Sequence, residues 1–218
     1  LNQAVKVPAG GVLNLGMAKT GCRTYLAVAG GFEVPKVMGS YSTNLKCGIG
    51  GHEGRALQMG DELPIGEALH SWDEVKDRKV SVPDYPKEVL VSVVPGPQEE
   101  YFTEAGIHHF YSESYEVTES CDRMGYRLEG PEVESKNGTD IVSDGIVFGS
   151  IQIPSSGKPI ILMADHQTTG GYAKIGTVTQ ADLPKVAQCK PGDRIRFRKV
   201  SVEEAQEISR KERKKECF

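Results

Sequence analysis

Residues 146–163 read IVFGSIQIPSSGKPIILM, in which two short apolar runs flank the turn-forming segment PSSGKP. Short apolar or alternating runs that are punctuated by Gly, Pro and Asp are typical of β-strands and their turns. Comparable runs occur at 5–7, 12–15, 24–28, 89–94, 146–153, 160–163 and 195–197. The pattern predicts a mainly β fold, and it places His108 and His109 on a strand.

A turn followed by a strand occurs three times, as AGGVLNL at 9–15, MGDELPI at 59–65 and PGDRIRF at 191–197. Gly permits a left-handed turn, and apolar residues two positions apart share one face of a strand. Two copies precede residue 70 and the third lies near residue 195. This distribution predicts two related β modules.

The charged segment 67–87, which ends in two prolines, separates these modules in the sequence. We therefore expect the remainder of a first module at 1–75, a linker at 76–87, a second module at 88–200 and a charged C-terminal helix at 201–218. Short helices are expected at 98–105 and from Asp182. Because the chain begins with Leu and runs directly into a strand-like stretch, we expect a fragment or a processed chain.

Composition excludes several classes of function. A net charge of -4 with interspersed signs argues against a nucleic-acid partner, and no apolar run approaches the roughly 18 residues of a membrane span. The five cysteines include no CxxC pair, and the five histidines lack metal-ligand spacing. We expect a cytoplasmic protein with reduced thiols and no metal site. P-loop, GxSxG and HExxH motifs are absent from the sequence.

Three polar stretches exceed what core packing requires: GSYST at 39–43, CDRMGYRL at 121–128 and ADHQTTGGY at 164–172, with Asp144 and Gln152 upstream of the last. Arg123 offers a planar fork of donors for a carboxylate or phosphate. Asp144 and Asp165 are candidates to hold that fork or to act as general bases. Alternatively, an Arg–Asp pair braces two turns.

The residues that carry a family resemblance are TGCRTYLAVAGGFEVPKVMGSYST at 20–43, GRALQMGDELPIG, VVPGPQEEYF, CDRMGYRLEGP, the run from SDGIVFGS to ADLP at 143–184, and PGDRIRFR. Together they resemble the family of the 5-oxoprolinase C subunits, also called allophanate hydrolase subunit 2, or subdomains A and B of a biotin-dependent carboxyltransferase. The resemblance implies two cyclophilin-like β-barrel modules, the first truncated at its N-terminus. Where relatives often have Ser and Arg, this chain has Cys121 and His166.

The resemblance implies three possible functions. The first is a component of an ATP-dependent 5-oxoprolinase, which opens 5-oxo-L-proline to L-glutamate together with an A-type and a B-type partner and shares ATP with them. The second is a carboxyltransferase module that acts on urea, with biotin carried by another chain or domain. The third is a Kip-type, non-catalytic regulator that binds a B-type partner (allophanate hydrolase subunit 1).

The substrates that the resemblance implies share a planar amide edge, so we expect residues that can pair with N–H and C=O groups. Asp165 is expected to act as the base and Arg123 as the anion clamp, with Asp144 as a third catalytic residue. The expected substrate-binding residues are Ser40, Ser42, Gln152, Gln167, Thr168, Thr169, Gly170, Gly171 and Tyr172.

Overall fold

The computed structural model describes residues 2–81 and 83–216, the last three by their backbone alone, and the chain divides into two compact units. The first unit comprises Leu1–Gly16 and Thr24–Pro83, and the second comprises Met17–Arg23 and Asp84–Phe218. The runs at 5–7, 12–15 and 24–28 were expected to be strands, but the described residues of the first unit contain isolated bridges, such as Phe32 with Ile65, and the helix α1 (Trp72–Val75). A barrel in the first unit therefore stays a prediction.

The second unit is mainly β, which confirms the predicted fold class. Its strands are β1 (Glu88–Pro95), β2 (Ser114–Cys121), β3 (Gly125–Glu129), β4 (Asp140–Gly145), β5 (Ser150–Gln152), β6 (Ile160–Leu162), β7 (Thr169–Tyr172), β8 (Lys174–Val178) and β9 (Arg194–Lys199). Seven of them close a barrel in the order β1-β8-β5-β6-β3-β2-β9, and β4 pairs with β7 in a separate two-stranded ribbon. The β1–β9 pairing is parallel, and the other barrel pairings are antiparallel.

The barrel core follows from the alternation of apolar side chains along each strand. Tyr126 pairs with Ile161, which pairs with Ile151, and all three side chains are buried. Phe110 stacks on Phe197 with ring centroids 4.3 Å apart. Burying each such side chain stabilises the fold by about 1.5–3 kcal/mol, so this interior fixes the strand register on which the outer face depends.

Gly149 divides the apolar run that was expected to form one strand over 146–153. Its φ is +89°, a left-handed conformation that ends regular strand geometry, and Ser150 N donates back to Val147 O at 3.0 Å. The ribbon strand β4 therefore ends at Gly145 and the barrel strand β5 begins at Ser150.

The helices of the second unit are α2 (Glu104–Ser112), α3 (Leu183–Gln188) and α4 (Val202–Glu216), together with a 3₁₀ turn at Glu99–Tyr101. The prediction of one helix over 98–105 was wrong, because the Thr103 side chain accepts from Gly106 N and caps a new helix there. His108 and His109 lie in that helix and not on a strand. Pro184 lies in the first turn of α3, where no hydrogen bond is lost.

Residues 17–23 form a strap on the second unit. Gln188 Oε1 accepts from the backbone N of Cys22 at 2.9 Å and of Arg23 at 2.8 Å, and its Nε2 donates to Arg23 O at 3.0 Å. The Arg23 guanidinium also donates to Tyr126 Oη at 2.7 Å. The side-chain amide of Gln188 therefore makes the hydrogen bonds that a neighbouring strand would make with the strap, and it holds the strap in place.

Gln188→Ala should release this strap. Each net hydrogen bond contributes about 0.5–1.5 kcal/mol, so losing three should accelerate amide exchange at Cys22 and Arg23 by at least about 10-fold. Hydrogen exchange read by mass spectrometry measures this rate. Gln180→Ala, an exposed glutamine of the same unit, is the matched control, and equal protection in both variants would refute the role of Gln188.

Candidate functional site

A cleft of about 270 Å³ lies on the outer face of the barrel. It combines the ends of β2 and β3 with parts of β5 and β6, the loop after β6 and the end of β7. Its lining residues are Ser120, Asp122, Met124, Gly125, Arg127, Gln152, Ile160, Leu162, Gln167 and Tyr172. The second unit supplies all of them.

Strand register produces the central row of this cleft. Gln152 on β5 pairs with Ile160 on β6, which pairs with Arg127 on β3. Residues directly opposite one another share a face and lie about 4.5–5.5 Å apart between Cβ atoms. Since the neighbouring row fills the barrel, this row lies on the outer face and presents an amide, an aliphatic side chain and a guanidinium in order.

Gln152 is buried, with 2% of its surface exposed. Its Nε2 donates to Tyr172 O at a long 3.4 Å, and a Cβ placed on Gly170 would lie 2.6 Å from the same nitrogen. The backbone of β7 thus approaches Gln152 as closely as glycine allows. The Gln152 Oε1 atom accepts no hydrogen bond from the described residues, so it can accept one from a ligand.

Arg127 is the cation of the cleft. It is exposed, and no ion pair joins it to any acid in residues 2–81 and 83–213, the ranges with described side chains. A guanidinium that no carboxylate neutralises is suited to a carboxylate or phosphate ligand. The sequence analysis missed Arg127, although its place two residues after Gly125 in CDRMGYRL puts both on one face of a strand.

Arg123 and Asp165, the predicted clamp and base, bind each other. Arg123 Nε lies 2.8 Å from Asp165 Oδ2, and one terminal nitrogen lies 2.9 Å from Oδ1. Asp165 N also donates to Arg123 O at 2.7 Å. Neither residue lines the cleft, and 67% of the Arg123 side chain is exposed. This geometry favours the alternative in which the pair braces two turns, and catalytic roles for both stay predictions.

Asp144 pairs with a buried lysine that the sequence analysis missed. Lys174 on β8 is only 4% exposed, and its Nζ lies 2.8 Å from Asp144 Oδ2. This hydrogen bond, assisted by the Gly145 amide, lowers the pKa of Asp144 below its ordinary value. A carboxylate held in this way is a weak base. The contact therefore favours a structural role for Asp144, as a tether that joins the β4–β7 ribbon to barrel strand β8. The sequence did contain a signal for this buried charge, because Lys174 interrupts the apolar run AKIGTV at 173–178.

The tether predicts a pH dependence. Because the folded-state pKa of Asp144 lies below its unfolded value, the contact stabilises the ribbon above the unfolded pKa and is lost as pH falls through the folded pKa. Amide exchange in β7, corrected for intrinsic rates, should therefore accelerate below about pH 4. Asp144→Asn should remove this component and Asp140→Asn, on the same strand, should keep it. The same pH profile in both variants would contradict the tether.

The structure places the other predicted residues as follows. Gln167 and Tyr172 line the cleft with Gln152. Thr169, Gly170 and Gly171 belong to β7, and Thr168 O accepts from Ile146 N at 3.0 Å, so these residues build the ribbon beside the cleft. Ser40 and Ser42 are exposed in the first unit, where Ser42 N donates to Ser40 Oγ at 3.1 Å. Their part in the site stays a prediction.

No three side chains of the His, Cys, Asp and Glu types in residues 2–81 and 83–213 come together as a metal would require. No helix in the same ranges is both long and apolar enough to span a membrane.

Sequence comparison identifies the family. A family model described as carboxyltransferase domain, subdomain A and B, matches residues 1–199. The chain belongs to this family. The C subunit of 5-oxoprolinase from Haemophilus influenzae is 39% identical over 206 residues, which cover 94% of this chain and 65% of that protein. The protein of the same name from Escherichia coli is 41% identical over 201 residues, which cover 90% and 62%.

A solved urea carboxylase has a similar architecture over most of this chain. The crystal structure of the Kluyveromyces lactis urea carboxylase superimposes with a TM-score of 0.77 and 27% identity, over 90% of this chain and 19% of that one. This chain covers less than two thirds of the length of the two C subunits of 5-oxoprolinase, 65% and 62%. It covers 19% of the length of the urea carboxylase.

Proposed function

We propose that the cleft binds 5-oxo-L-proline and that this chain acts as the C component of an ATP-dependent 5-oxoprolinase, with A-type and B-type partners. The observation that carries the proposal is the row on the outer face of the barrel in which Gln152 and Arg127 flank Ile160. The identity of 39% and 41% to two proteins named as the C subunit of 5-oxoprolinase also supports it.

The chemistry of the row matches the two ends of that substrate. A carboxamide such as Gln152 presents a carbonyl and an NH₂ group, which complement the N–H and C=O of a lactam. A guanidinium such as Arg127 binds a carboxylate through two parallel hydrogen bonds. The aliphatic Ile160 lies between them and can contact the ring methylenes. Gln167 and Tyr172 add further polar groups to the lining.

The cleft around this row is small for a nucleotide. Pockets that enclose drug-sized ligands measure about 300–1,000 Å³, and the cleft of about 270 Å³ is smaller. ATP hydrolysis would supply the free energy for opening a five-membered lactam. Arg127 suits a phosphate as well as a carboxylate, but the remaining contacts to ATP would come from the partner proteins. This chain's own contribution is to bind and orient the lactam.

A carboxyltransferase acting on urea is the second candidate, because the urea carboxylase of Kluyveromyces lactis has the same architecture over 90% of this chain. Gln152 would pair with urea as it would with a lactam, and biotin would arrive on another chain or domain. Urea has no carboxylate, however, so Arg127 would have no substrate group to bind. The cation in the cleft therefore favours 5-oxoproline.

Reconstitution tests the proposal directly. Purified chain is combined with the A-type and B-type partners, and glutamate formed from 5-oxoproline is measured with and without ATP. We expect glutamate only when all three proteins and ATP are present. Turnover of urea, with biotin-carrying carboxylase modules added, is the parallel assay. Glutamate formation without this chain, or failure of 5-oxoproline to bind the complete assembly, would overturn the proposal.

A further inference from the structure

A second cavity lies away from the cleft, between helix α4 and the outer side of β1 and β8. It is a groove of about 520 Å³, within the range of about 300–1,000 Å³ that small-molecule sites occupy. One wall includes Val94 of β1 and Thr177 of β8, which are register partners. Nothing in the proposed function uses this groove.

The other wall is one face of α4. Its lining residues recur at the spacing that brings side chains onto a single helical face: Val202, Ala205, Gln206, Ser209, Arg210 and Arg213. A helix that packed tightly would bury this stripe, yet Val202 is 52% exposed. Ala205 and Ser209 are half-buried, as is Val94 on the facing wall, so apolar surface remains accessible on both walls of the groove.

The charges of the groove have one sign. Arg210 and Arg213 lie one turn apart, and no acid contributes to the lining. Neither arginine forms an ion pair with a described side chain, whereas Glu204, in the first turn of the same helix, is bound by Arg198 at 2.7 Å. Two unneutralised guanidinium groups at the end of an apolar groove attract an anion and position it.

We propose that this groove binds an organic carboxylate with an aliphatic body. The carboxylate contacts Arg210 and Arg213, and the body packs between Val94, Val202 and Ala205. Binding fills the gap and holds α4 against the barrel. The proposal is independent of the reaction proposed for the cleft, because no residue is shared between the two cavities.

Calorimetric titration of the full chain with octanoate tests the site. We expect saturable binding, with octan-1-ol and inorganic phosphate each at least about 10-fold weaker, because each offers only half of the recognition. Hydrogen exchange should show added protection over 202–213. No saturable octanoate binding, or phosphate binding as tight as octanoate, would overturn the proposal.

Variants locate the site. The double variant Arg210→Gln, Arg213→Gln keeps helix propensity and should weaken octanoate binding at least about 10-fold. Arg196→Gln, an exposed arginine on β9 that does not line the groove, is the matched control and should bind as the parent does. Equal affinity in the double variant and the parent would place the ligand elsewhere and refute the site.

Discussion

Arg127→Gln is expected to weaken binding of 5-oxoproline by about 10- to 100-fold, since hydrogen bonds to charged groups contribute about 1.5–3 kcal/mol. Arg127 lines the cleft without an ion-pair partner among the described acids. Its substitution therefore removes the proposed contact to the substrate carboxylate and leaves no acid of the protein without its ion-pair partner. Calorimetry on the assembled complex, or KM for glutamate formation, measures the effect. The neutral analogue 2-pyrrolidinone lacks the carboxylate and should bind both forms equally.

Arg123→Gln is the matched control for this experiment. It removes the same charge four residues earlier, but from a guanidinium that Asp165 occupies at 2.8 and 2.9 Å. Exposed ion pairs contribute about 0–1 kcal/mol, so we expect a loss of less than about 5-fold in substrate affinity. A larger loss with Arg123→Gln than with Arg127→Gln would restore Arg123 as the clamp. An equal loss of 2-pyrrolidinone binding would show that Arg127 does not recognise the carboxylate.

Gly170→Ala is expected to disrupt the cleft while leaving the barrel folded. The added Cβ would lie 2.5 Å from Ile146 Cδ1 and 2.6 Å from Gln152 Nε2. Both distances are shorter than a carbon atom tolerates to a nonbonded carbon or nitrogen atom. Overpacking of this kind costs about 1–3 kcal/mol, and relief requires Gln152 or β7 to move. Urea unfolding measures the stability loss, and titration should show that 5-oxoproline binding is lost.

Gly171→Ala provides a close comparison, because it adds the same methyl group one residue later. There the nearest atoms would be Ile141 O at 3.5 Å and Ser143 Oγ at 3.8 Å, which are ordinary contacts. We expect a stability change within about 0.5 kcal/mol and unchanged binding. If both variants bind substrate normally, the approach of β7 to Gln152 does not shape the site.

Much of the fold class was predictable from local patterns. Apolar residues two apart, separated by Gly and Pro, indicated strands, and the run GRALQMGDELPIG with CDRMGYRLEGP indicated the family that residues 1–199 then matched. Strand boundaries were less predictable. Gly149 divided an apparently continuous run, and Thr103 capped a helix where a strand had been predicted at His108.

The candidate site was only partly predictable, since it depends on long-range register. Gln152, Gln167 and Tyr172 line the cleft. They were found from the sequence because the polar stretch 164–172, with Gln152 upstream of it, had indicated a site. Their position beside Arg127 arises from pairing across β5, β6 and β3. No local pattern encodes which strands become neighbours when a barrel closes.

The sequence by itself determined the class of this protein, its family and the polar segments that surround the cleft, because period, turn chemistry and motif are properties of neighbouring residues. Only the tertiary structure decided which of two arginines lines the cleft. Arg123 meets Asp165 in a loop contact, whereas Arg127 lies on the outer face opposite Ile160. The physical reason is that charge neutralisation depends on distance in space, and the closed barrel sets those distances by pairing strands that are far apart in sequence, such as β3 with β6.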